Sequence, residues 1–358
     1  MKDHNQLLNQ KTGQSKSDLK HHFITIKDIA KALNVSVSTV SRAMCDAYDV
    51  SKETREKVLA MAAQLNYKPN LNATGLVHRS TRTIGIFLPT ITNYYFSTLV
   101  TGVQEVAHDN GFNIILFLTN DSSTREREIA DGLTLSSLDG ILASVSSTSD
   151  TCDHFQKIID SGVPVVFFDR VPETIDTSKV MQDDFNGAFE AVEHLINSGY
   201  SQIAHIAGPK GLMFTEKRLM GYKEALRKNN LPFNEEWVVY SGFTQKDGEN
   251  DTEILLNLNN RPNAIFAVND RKAIGVIQSL KRHGIIAGRG IGVMGFTNDP
   301  VAEIISPTLS TIAEPAFEVG KISCELLLKH IRKKNFTPQE IILPGKLMAR
   351  ESTCLSII

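Results

Sequence analysis

A short run of small polar residues around one arginine has the chemistry needed to bind the edges of DNA bases. The run covers residues 37–42, VSTVSR. Serine and threonine hydroxyls bond to base edges or phosphates, and an arginine fork can bind guanine through two hydrogen bonds. In a helix Val40 turns inward, which leaves an outer side made of Val37, Ser38, Thr39, Ser41 and Arg42. The run therefore predicts a helix that fits the major groove.

Two helices joined by a tight turn would position this run. Thr25 can begin the first helix, and Asp28 three residues later completes a capping-box pattern. Asn34 tolerates the left-handed backbone that the turn needs, and Ser36 can cap the second helix. A third helix is predicted to begin at Ser51 and to bury one face against the others. The pattern is that of a helix-turn-helix headpiece of about 45 residues, near the lower size limit for independent folding.

The charge of the chain is divided unevenly between this region and the rest. Residues 1–82 carry 13 Lys and Arg against 7 Asp and Glu, whereas the remainder carries 25 against 33. A basic head supplies the salt-dependent attraction to phosphates that DNA binding requires. The acidic body, by contrast, discourages the rest of the chain from binding DNA.

From Thr83 onwards short apolar strands alternate with helices. Ile84–Leu88 and Val163–Phe168 are examples of the strands, and the helix at 184–198 has one apolar face. This alternation is typical of parallel sheets covered by helices on both faces. Two successive runs, separated by a link near Val180, predict a fold class of a small all-α headpiece followed by two doubly wound α/β lobes.

Polar and aromatic residues follow the ends of several predicted strands. Ligands bind at this carboxyl edge in open α/β sheets. Each residue alone has a simpler explanation, because strand-end acids often cap helices and lone aromatics usually lie in the core. Together they predict a cleft with aromatic walls and charged ends, suited to a polar ring such as a sugar, and lined by Tyr95, Phe96, Asp169, Arg218, Phe243, Asn269, Asp270 and Thr297.

The segments TIKDIAKALNVSVSTVSRAM (25–44) and VSKETREKVLAMAAQLNYKPN (50–70), followed by Ala73 and Leu76, resemble the LacI/GalR family of bacterial transcription regulators. The resemblance continues to Thr353, nearly the whole chain. It implies a homodimer that binds a pseudo-palindromic operator in double-stranded DNA as a repressor of carbohydrate-utilisation genes. It also implies lobes of the periplasmic-binding-protein type, with a small-molecule effector, a sugar or sugar derivative, between them.

The resemblance also assigns DNA contacts by position. Leu76 would enter the minor groove as a wedge and kink the duplex, within a hinge that folds on operator DNA. The full set of implied contacts is Thr25, Ser36, Val37, Ser38, Thr39, Ser41, Arg42, Tyr48, Asn70, Ala73 and Leu76.

The implied domain organisation has four parts. They are a tail at 1–23, the headpiece at 24–68, the hinge at 69–82 and an effector-binding and dimerisation domain at 83–358. The first lobe would comprise 83–181 and 313–343, and the second 182–312 and 344–358.

In the cleft, Arg218 matches the ligand-binding arginine of the family, and Phe96, Phe243 and Asn269 also match pocket positions. Thr297 departs from the pattern, because an aspartate is common there. The loss of this strong acceptor for ligand hydroxyls implies an effector with more apolar surface or negative charge, or something other than a free monosaccharide.

Other classes of protein find less support. No apolar run approaches the 18 or more residues of a membrane span, and residues 1–22 lack a signal-peptide core, so we expect a cytoplasmic protein. Four dispersed cysteines indicate neither disulfides nor a zinc site, and we expect no cofactor.

No catalytic motif is evident, and the glycines at 288–292 precede a strand, whereas a phosphate loop follows one. We therefore expect no enzyme. Two alternatives stay open: a binding protein of transport or chemoreception, and a regulator with a vestigial effector pocket.

Overall fold

The computed structural model describes residues 24–44, 50–67, 80–147, 151–333 and 335–354. The chain divides into two compact units, Met1–His78 and Arg79–Ile358. Among the helices of the described ranges, none is long and apolar enough to cross a lipid bilayer.

The first unit is a three-helix headpiece. Its helices are α1 (Ile26–Leu33), α2 (Val37–Met44) and α3 (Lys52–Gln64). Each helix contributes two side chains to a small buried core, namely Ile29, Ala30, Val40, Ala43, Val58 and Ala62. This arrangement confirms the predicted helix-turn-helix and third helix.

Local hydrogen bonds begin and end the headpiece helices where the sequence predicts. The Asp28 carboxylate accepts from the backbone N–H of Thr25 at 2.8 Å, as in a capping box. Asn34 ends α1 in the left-handed conformation, at φ 52°. The hydroxyl of Ser36 accepts from the N–H of Thr39 at 3.0 Å and thereby caps α2. Ser51 caps α3 in the same way, through Thr54.

The second unit contains two parallel sheets. In the first lobe the strand order is β11-β5-β4-β3-β1-β2, and every pair is parallel. These strands are β1 (Thr83–Leu88), β2 (Asn113–Leu118), β3 (Gly140–Ala143), β4 (Val165–Phe168), β5 (Lys179–Gln182) and β11 (Glu340–Leu343).

In the second lobe the order is β7-β6-β8-β9, again parallel throughout. Its strands are β6 (Ile203–Ala207), β7 (Val238–Tyr240), β8 (Ala264–Ala267) and β9 (Gly292–Met294).

Helices cover both faces of each sheet. Those of the first lobe are α4 (Tyr94–Asp109), α5 (Ser123–Asp131), α6 (Asp153–Asp160) and α11 (Ala316–Arg332). Those of the second are α7 (Asp184–Asn197), α8 (Met213–Lys228), α9 (Gln245–Leu256) and α10 (Asp270–Arg282). Each lobe buries one apolar cluster on either side of its sheet, as doubly wound sheets require. The predicted fold class is confirmed.

Glycine allows two helices of the first lobe to pack closely. A side chain at Gly102 of α4 would collide with the backbone of α11 at Phe317, and one at Gly320 of α11 would collide with the backbone of α4 at Leu99. The two helices therefore meet backbone to backbone, which fixes the position of α4 and of the residues at its first turn.

The chain passes between the lobes three times. It leaves the first sheet after Gln182, returns through β10 (Thr311–Ala313) to α11, and leaves again after β11. β12 (Lys346–Met348) then pairs antiparallel with β10. Glu314, directly after β10, is the residue of these crossing segments that lines the cleft between the lobes.

Two features differ from the sequence predictions. The link expected near Val180 is instead β5, a strand of the first sheet. Strands β10 to β12 were not predicted, because they are three or four residues long and pair only with distant parts of the chain.

Candidate functional site

The outer side of α2 is open to solvent. Val37 is 39% exposed, and Ser36, Ser38 and Arg42 are also exposed. Thr39 and Ser41 are partly exposed, while Val40 is buried in the headpiece core. The side chains with hydrogen-bonding capacity thus lie together on one face of a short helix.

The hydroxyls at the start of α2 bond to one another. Ser36 Oγ lies 2.8 Å from Ser38 Oγ and 2.7 Å from Thr39 Oγ1. Thr25, predicted as a DNA contact, donates its hydroxyl to Asp28 at 2.8 Å and so also serves to cap α1. The predicted contacts Tyr48, Asn70, Ala73 and Leu76 lie outside the described residues.

A cleft of about 420 Å³ lies between the two lobes of the second unit. All eight predicted cleft residues line it, namely Tyr95, Phe96, Asp169, Arg218, Phe243, Asn269, Asp270 and Thr297. They follow the ends of β1, β4, β7, β8 and β9, except Arg218, which lies in the second turn of α8. The carboxyl edges of both sheets therefore face a common space, as the strand-end argument requires.

Arg218 is the most heavily bonded side chain in the cleft. It is 4% exposed and donates to the Asp184 carboxylate at 2.8 Å, to the Glu314 carboxylate at 2.7 Å and to the carbonyl of Val268 at 2.5 Å. Its guanidinium carbon also lies 3.7 Å from the centroid of the Phe296 ring. These contacts fix its orientation, since an arginine fork offers its donors in a rigid plane.

An aromatic pair forms one wall of the cleft. The rings of Phe214 and Phe243 are stacked with centroids 5.6 Å apart. The guanidinium of Arg170, from the other lobe, lies 5.7 Å from each ring centroid, within the range of a cation–π interaction. Arg170 also donates to Asp121 at 2.6 Å.

Asp169 faces the cleft from the end of β4. Its backbone is left-handed, at φ 59°, and its carboxylate accepts from the hydroxyl of Ser144 at 3.0 Å. Burial raises the pKa of Asp169 to about 6, although the nearby Arg170 lowers it.

Asn269 and Asp270 line the cleft but are already engaged within the second lobe. Asn269 caps α10 through Lys272 and donates its amide to the carbonyl of Phe243 at 3.2 Å. Asp270 accepts from Thr311 at 2.6 Å and from the N–H of Asp299 at 2.7 Å. Both residues therefore hold cleft loops in place, in addition to any contact with a ligand.

Thr297 has an unusual backbone for a β-branched residue, at φ 137°. Its N–H donates to the carbonyl of Ile312 at 2.7 Å, and it forms a parallel bridge with Ala313. These contacts hold the end of β9 against the crossing segment β10. Backbone strain of this kind persists only where surrounding contacts impose it.

Glu314 is a cleft residue that the sequence analysis missed. It directly follows β10, its side chain is 7% exposed, and it pairs with Arg218. Burial raises the pKa of Glu314 to about 7, in spite of the opposing effect of Arg218. No pattern in the sequence identified it, because β10 has only three residues and its position depends on β12.

The position of Glu314 changes the expectation drawn from Thr297. The backbone N–H of Glu314 donates to the carbonyl of Thr297. An acidic residue is therefore bonded to the position where the family commonly has an aspartate and this chain has a threonine. The cleft lining contains six acids, Asp121, Asp169, Asp247, Asp270, Asp299 and Glu314, against three arginines, Arg170, Arg218 and Arg271. An excess of acids does not support the expected tolerance for a negatively charged effector.

Comparisons with known proteins agree with both parts of this architecture. Residues 25–70 match the family model described as bacterial regulatory proteins, lacI family, and residues 192–353 match that of a periplasmic binding protein-like domain. Catabolite control protein A of Priestia megaterium is 31% identical over 331 residues, covering 92% of this chain and 99% of that protein. The ribose operon repressor of Haemophilus influenzae is 32% identical, with coverage of 92% and 98%.

Two solved structures are similar to this chain over most of its length. The lac repressor dimer bound to operator and the anti-inducer ONPF has a TM-score of 0.81 at 25% identity, covering 92% of this chain and 99% of that chain. The complex of the transcriptional regulator CelR with cellobiose has a TM-score of 0.70 at 28% identity, with the same coverage.

A helix-turn-helix headpiece followed by a two-lobed binding domain defines a DNA-binding transcription regulator. The ribose operon repressor and the lac repressor, both similar to this chain along its length, are repressors by name, and the second is bound to operator. The chain belongs to the LacI family of bacterial regulatory proteins.

Proposed function

We propose that this regulator is a repressor of carbohydrate-utilisation genes that binds a pseudo-palindromic operator as a homodimer. A sugar or sugar derivative in the inter-lobe cleft would set its affinity for DNA. The observation that carries the proposal is the presence, in one chain, of an exposed polar α2 face and a cleft lined by all eight predicted residues. The proposal includes no catalytic step and no cofactor.

In this proposal the outer face of α2 lies in the major groove. Arg42 would bind a base and Val37 and Ser38 would contact base edges, while the hydroxyls of Thr39 and Ser41 bind bases or phosphates. Thr25 and Ser36, at the starts of α1 and α2, would lie beside the phosphate backbone. The remaining predicted contacts, Tyr48, Asn70, Ala73 and Leu76, are carried by the resemblance alone.

The cleft residues divide into three roles under this proposal. Phe96, Phe214 and Phe243 would pack against the faces of the ligand ring, as aromatic residues do in polar-ring sites. Arg218 and Asp169 would bind its hydroxyls through charge-assisted hydrogen bonds. Asn269, Asp270 and Thr297 would hold the loops that close on the ligand.

Dimerisation is part of the proposal, with support from the related lac repressor, whose structure is a dimer bound to operator. Two headpieces on symmetric half-sites would raise a weak monomer affinity through effective concentration. Effector binding would change lobe closure and hence operator affinity, by the coupling of about 1–3 kcal/mol that is common in allosteric proteins.

Selection of operator DNA from a random pool by the full-length chain tests this function. We expect an enriched palindromic sequence, bound with a steep salt dependence. A panel of sugars and sugar derivatives is then added to the complex, and operator affinity is measured by fluorescence anisotropy. Enrichment of no sequence, or an operator affinity that no ligand of the panel changes, would contradict the proposal.

A further inference from the structure

The side chains of Tyr95, Asp169, Asp184, Arg218 and Glu314 form what we call the floor of the cleft. This floor contains more acids than bases. Arg218 pairs with two of them, Asp184 at 2.8 Å and Glu314 at 2.7 Å. A third acid, Asp169, lines the cleft together with Glu314 and is partly exposed. The hydrogen bond from Ser144 is the polar contact that the Asp169 side chain makes within the described residues.

The other two arginines of the cleft are engaged elsewhere. Arg170 donates to Asp121 at 2.6 Å, and Arg271 donates to the backbone carbonyl of Thr92 at 2.6 Å. Arg218 is therefore the cation paired with Asp184 and Glu314, while Asp169 has only Arg170 beside it, which is already bonded to Asp121. The acids around Arg218 thus outnumber the cations available to them. Buried charge without a counter-charge is unfavourable.

A buried hydroxyl beside these acids lacks a hydrogen-bond partner. Tyr95, in the first turn of α4, is 6% exposed, and its Oη has no partner among the described residues. Burial, and then the charges of Asp169 and Glu314, raise the pKa of this hydroxyl. Tyr95 also lines the cleft together with Asp169 and Glu314. Buried hydroxyls are nearly always hydrogen-bonded, so this one indicates a group that the ligand supplies.

We propose that the effector carries a protonated amine that binds to Glu314, Asp169 and the Tyr95 hydroxyl, an inference that rests on the proposed function of the cleft. An ammonium group has three N–H donors, and this floor offers one oxygen acceptor from each of the three side chains. The positive charge would also balance the excess of carboxylates, which a neutral hydroxyl cannot do.

The second lobe already contains a buried ammonium group, that of Lys272. Lys272 is fully buried, and its Nζ donates to the carbonyl of Ala207, the hydroxyl of Ser241 and the carboxylate of Asp251, each at 2.7 Å. One charged and two neutral oxygens are thus enough to bury an ammonium here. The proposed subsite has two carboxylates and one hydroxyl, while Phe214 and Phe243 would pack against the attached ring.

Matched sugars test the inference directly. Isothermal titration of the full-length protein would compare glucosamine, galactosamine and mannosamine with their neutral parent sugars and with their N-acetyl derivatives. We expect at least one amine to bind about 10-fold tighter than both of its matched partners, as one charge-assisted contact predicts. If no amine binds more tightly than its parent and its N-acetyl form, the inference is wrong.

Variants separate the subsite from general effects on the cleft. Glu314→Gln should bring the ratio of amine to parent affinity close to one, whereas Glu340→Gln, at an exposed position on β11, should leave it unchanged. Tyr95→Phe should weaken the amine alone and provides a second test if Glu314→Gln does not fold. An amine preference that survives both cleft substitutions would overturn the assignment.

The outcome also separates this inference from the proposed function. If a neutral or acidic sugar changes operator affinity and amines are not preferred, the proposed function is supported and the amine subsite is contradicted. A clear amine preference without selection of any operator would keep the subsite and contradict the proposed function.

Discussion

The guanidinium of Arg170, after β4 of the first lobe, lies 5.7 Å from the centroid of the Phe243 ring, after β7 of the second lobe. A hydrogen bond and an apolar contact also join the two lobes. Arg271 of α10 bonds to the carbonyl of Thr92, and Met213 packs against an apolar cluster of the first lobe. Direct contacts between the lobes thus contribute to closure, in addition to anything a ligand supplies.

Arg170→Gln should weaken ligand binding by about 10-fold, because a partly desolvated cation–π contact is worth about 1–2 kcal/mol. Titration calorimetry with any ligand found in the panel measures this change. Asp121→Asn is the matched control, since it removes the ion pair but leaves the arginine over the two rings. An equal loss in both variants would mean that the ion pair matters and the ring contact does not.

Arg42→Ala should reduce affinity for the selected operator by about 10- to 100-fold, the range expected for one bidentate base contact. Affinity for unrelated DNA should fall much less, and the fold should be retained because the side chain is exposed. Anisotropy titrations on both DNAs measure the effect. Arg282→Ala, which removes an exposed arginine of the second lobe, serves as a control, and unchanged operator affinity in Arg42→Ala would contradict the assignment of α2.

Leu76→Ala tests the proposed wedge in the hinge, which lies outside the described residues. We expect reduced DNA bending in a gel-mobility bending assay and a larger loss of specific than of non-specific affinity, because an inserted side chain stabilises the kinked duplex. Equal losses on both kinds of DNA would argue against a wedge.

Arg218→Met should destabilise the protein itself and not only remove the ligand response. The substitution leaves Asp184 and Glu314 buried without their shared partner, which costs about 3–5 kcal/mol in comparable buried pairs. Urea unfolding measures the change in the free energy of unfolding. Arg227→Met, which breaks an exposed pair with Glu224, should have little effect, and a similarly small effect at Arg218 would contradict the importance of its buried pairs.

The stability difference between the wild-type protein and Glu314→Gln should depend on pH. Burial raises the pKa of Glu314 from an ordinary 4.5 to about 7, so the folded state holds a proton that the unfolded state releases between these values. The stabilising contribution is present below about pH 4.5 and is lost as the pH rises through about 7. Thermal unfolding should show the wild-type Tm falling relative to that of the variant over this range; a constant difference would mean that Glu314 does not titrate there.

Local rules were sufficient to predict much of the headpiece. The capping box of Thr25 and Asp28, the left-handed Asn34 and the cap at Ser36 depend on residues within four positions of one another. Seven of the eight cleft residues were found for a similar reason, since the end of a strand in an α/β sheet is itself a functional position. Arg218, on α8, was found by its match to the ligand-binding arginine of the family. Each of these features can be read from a short window of sequence.

The missed features depend on distant parts of the chain. β11 pairs with β5, more than 150 residues earlier, and β12 pairs with β10 across α11, so neither has a local pattern. Glu314 enters the cleft only because those crossings place it beside Arg218. The sequence likewise could not show that Arg218 is held by two carboxylates, and this changes the expected consequence of replacing it.

The three crossings also affect how the protein is made. Strands β1 to β5 emerge from the ribosome early, but their lobe lacks α11 and β11 until the whole second lobe has been synthesised. The second lobe has a complete four-stranded sheet by β9 and can become compact first, although its sequence begins later. The lobe that starts first therefore waits for nearly the whole chain before its sheet is complete, and until then the face that α11 covers stays exposed.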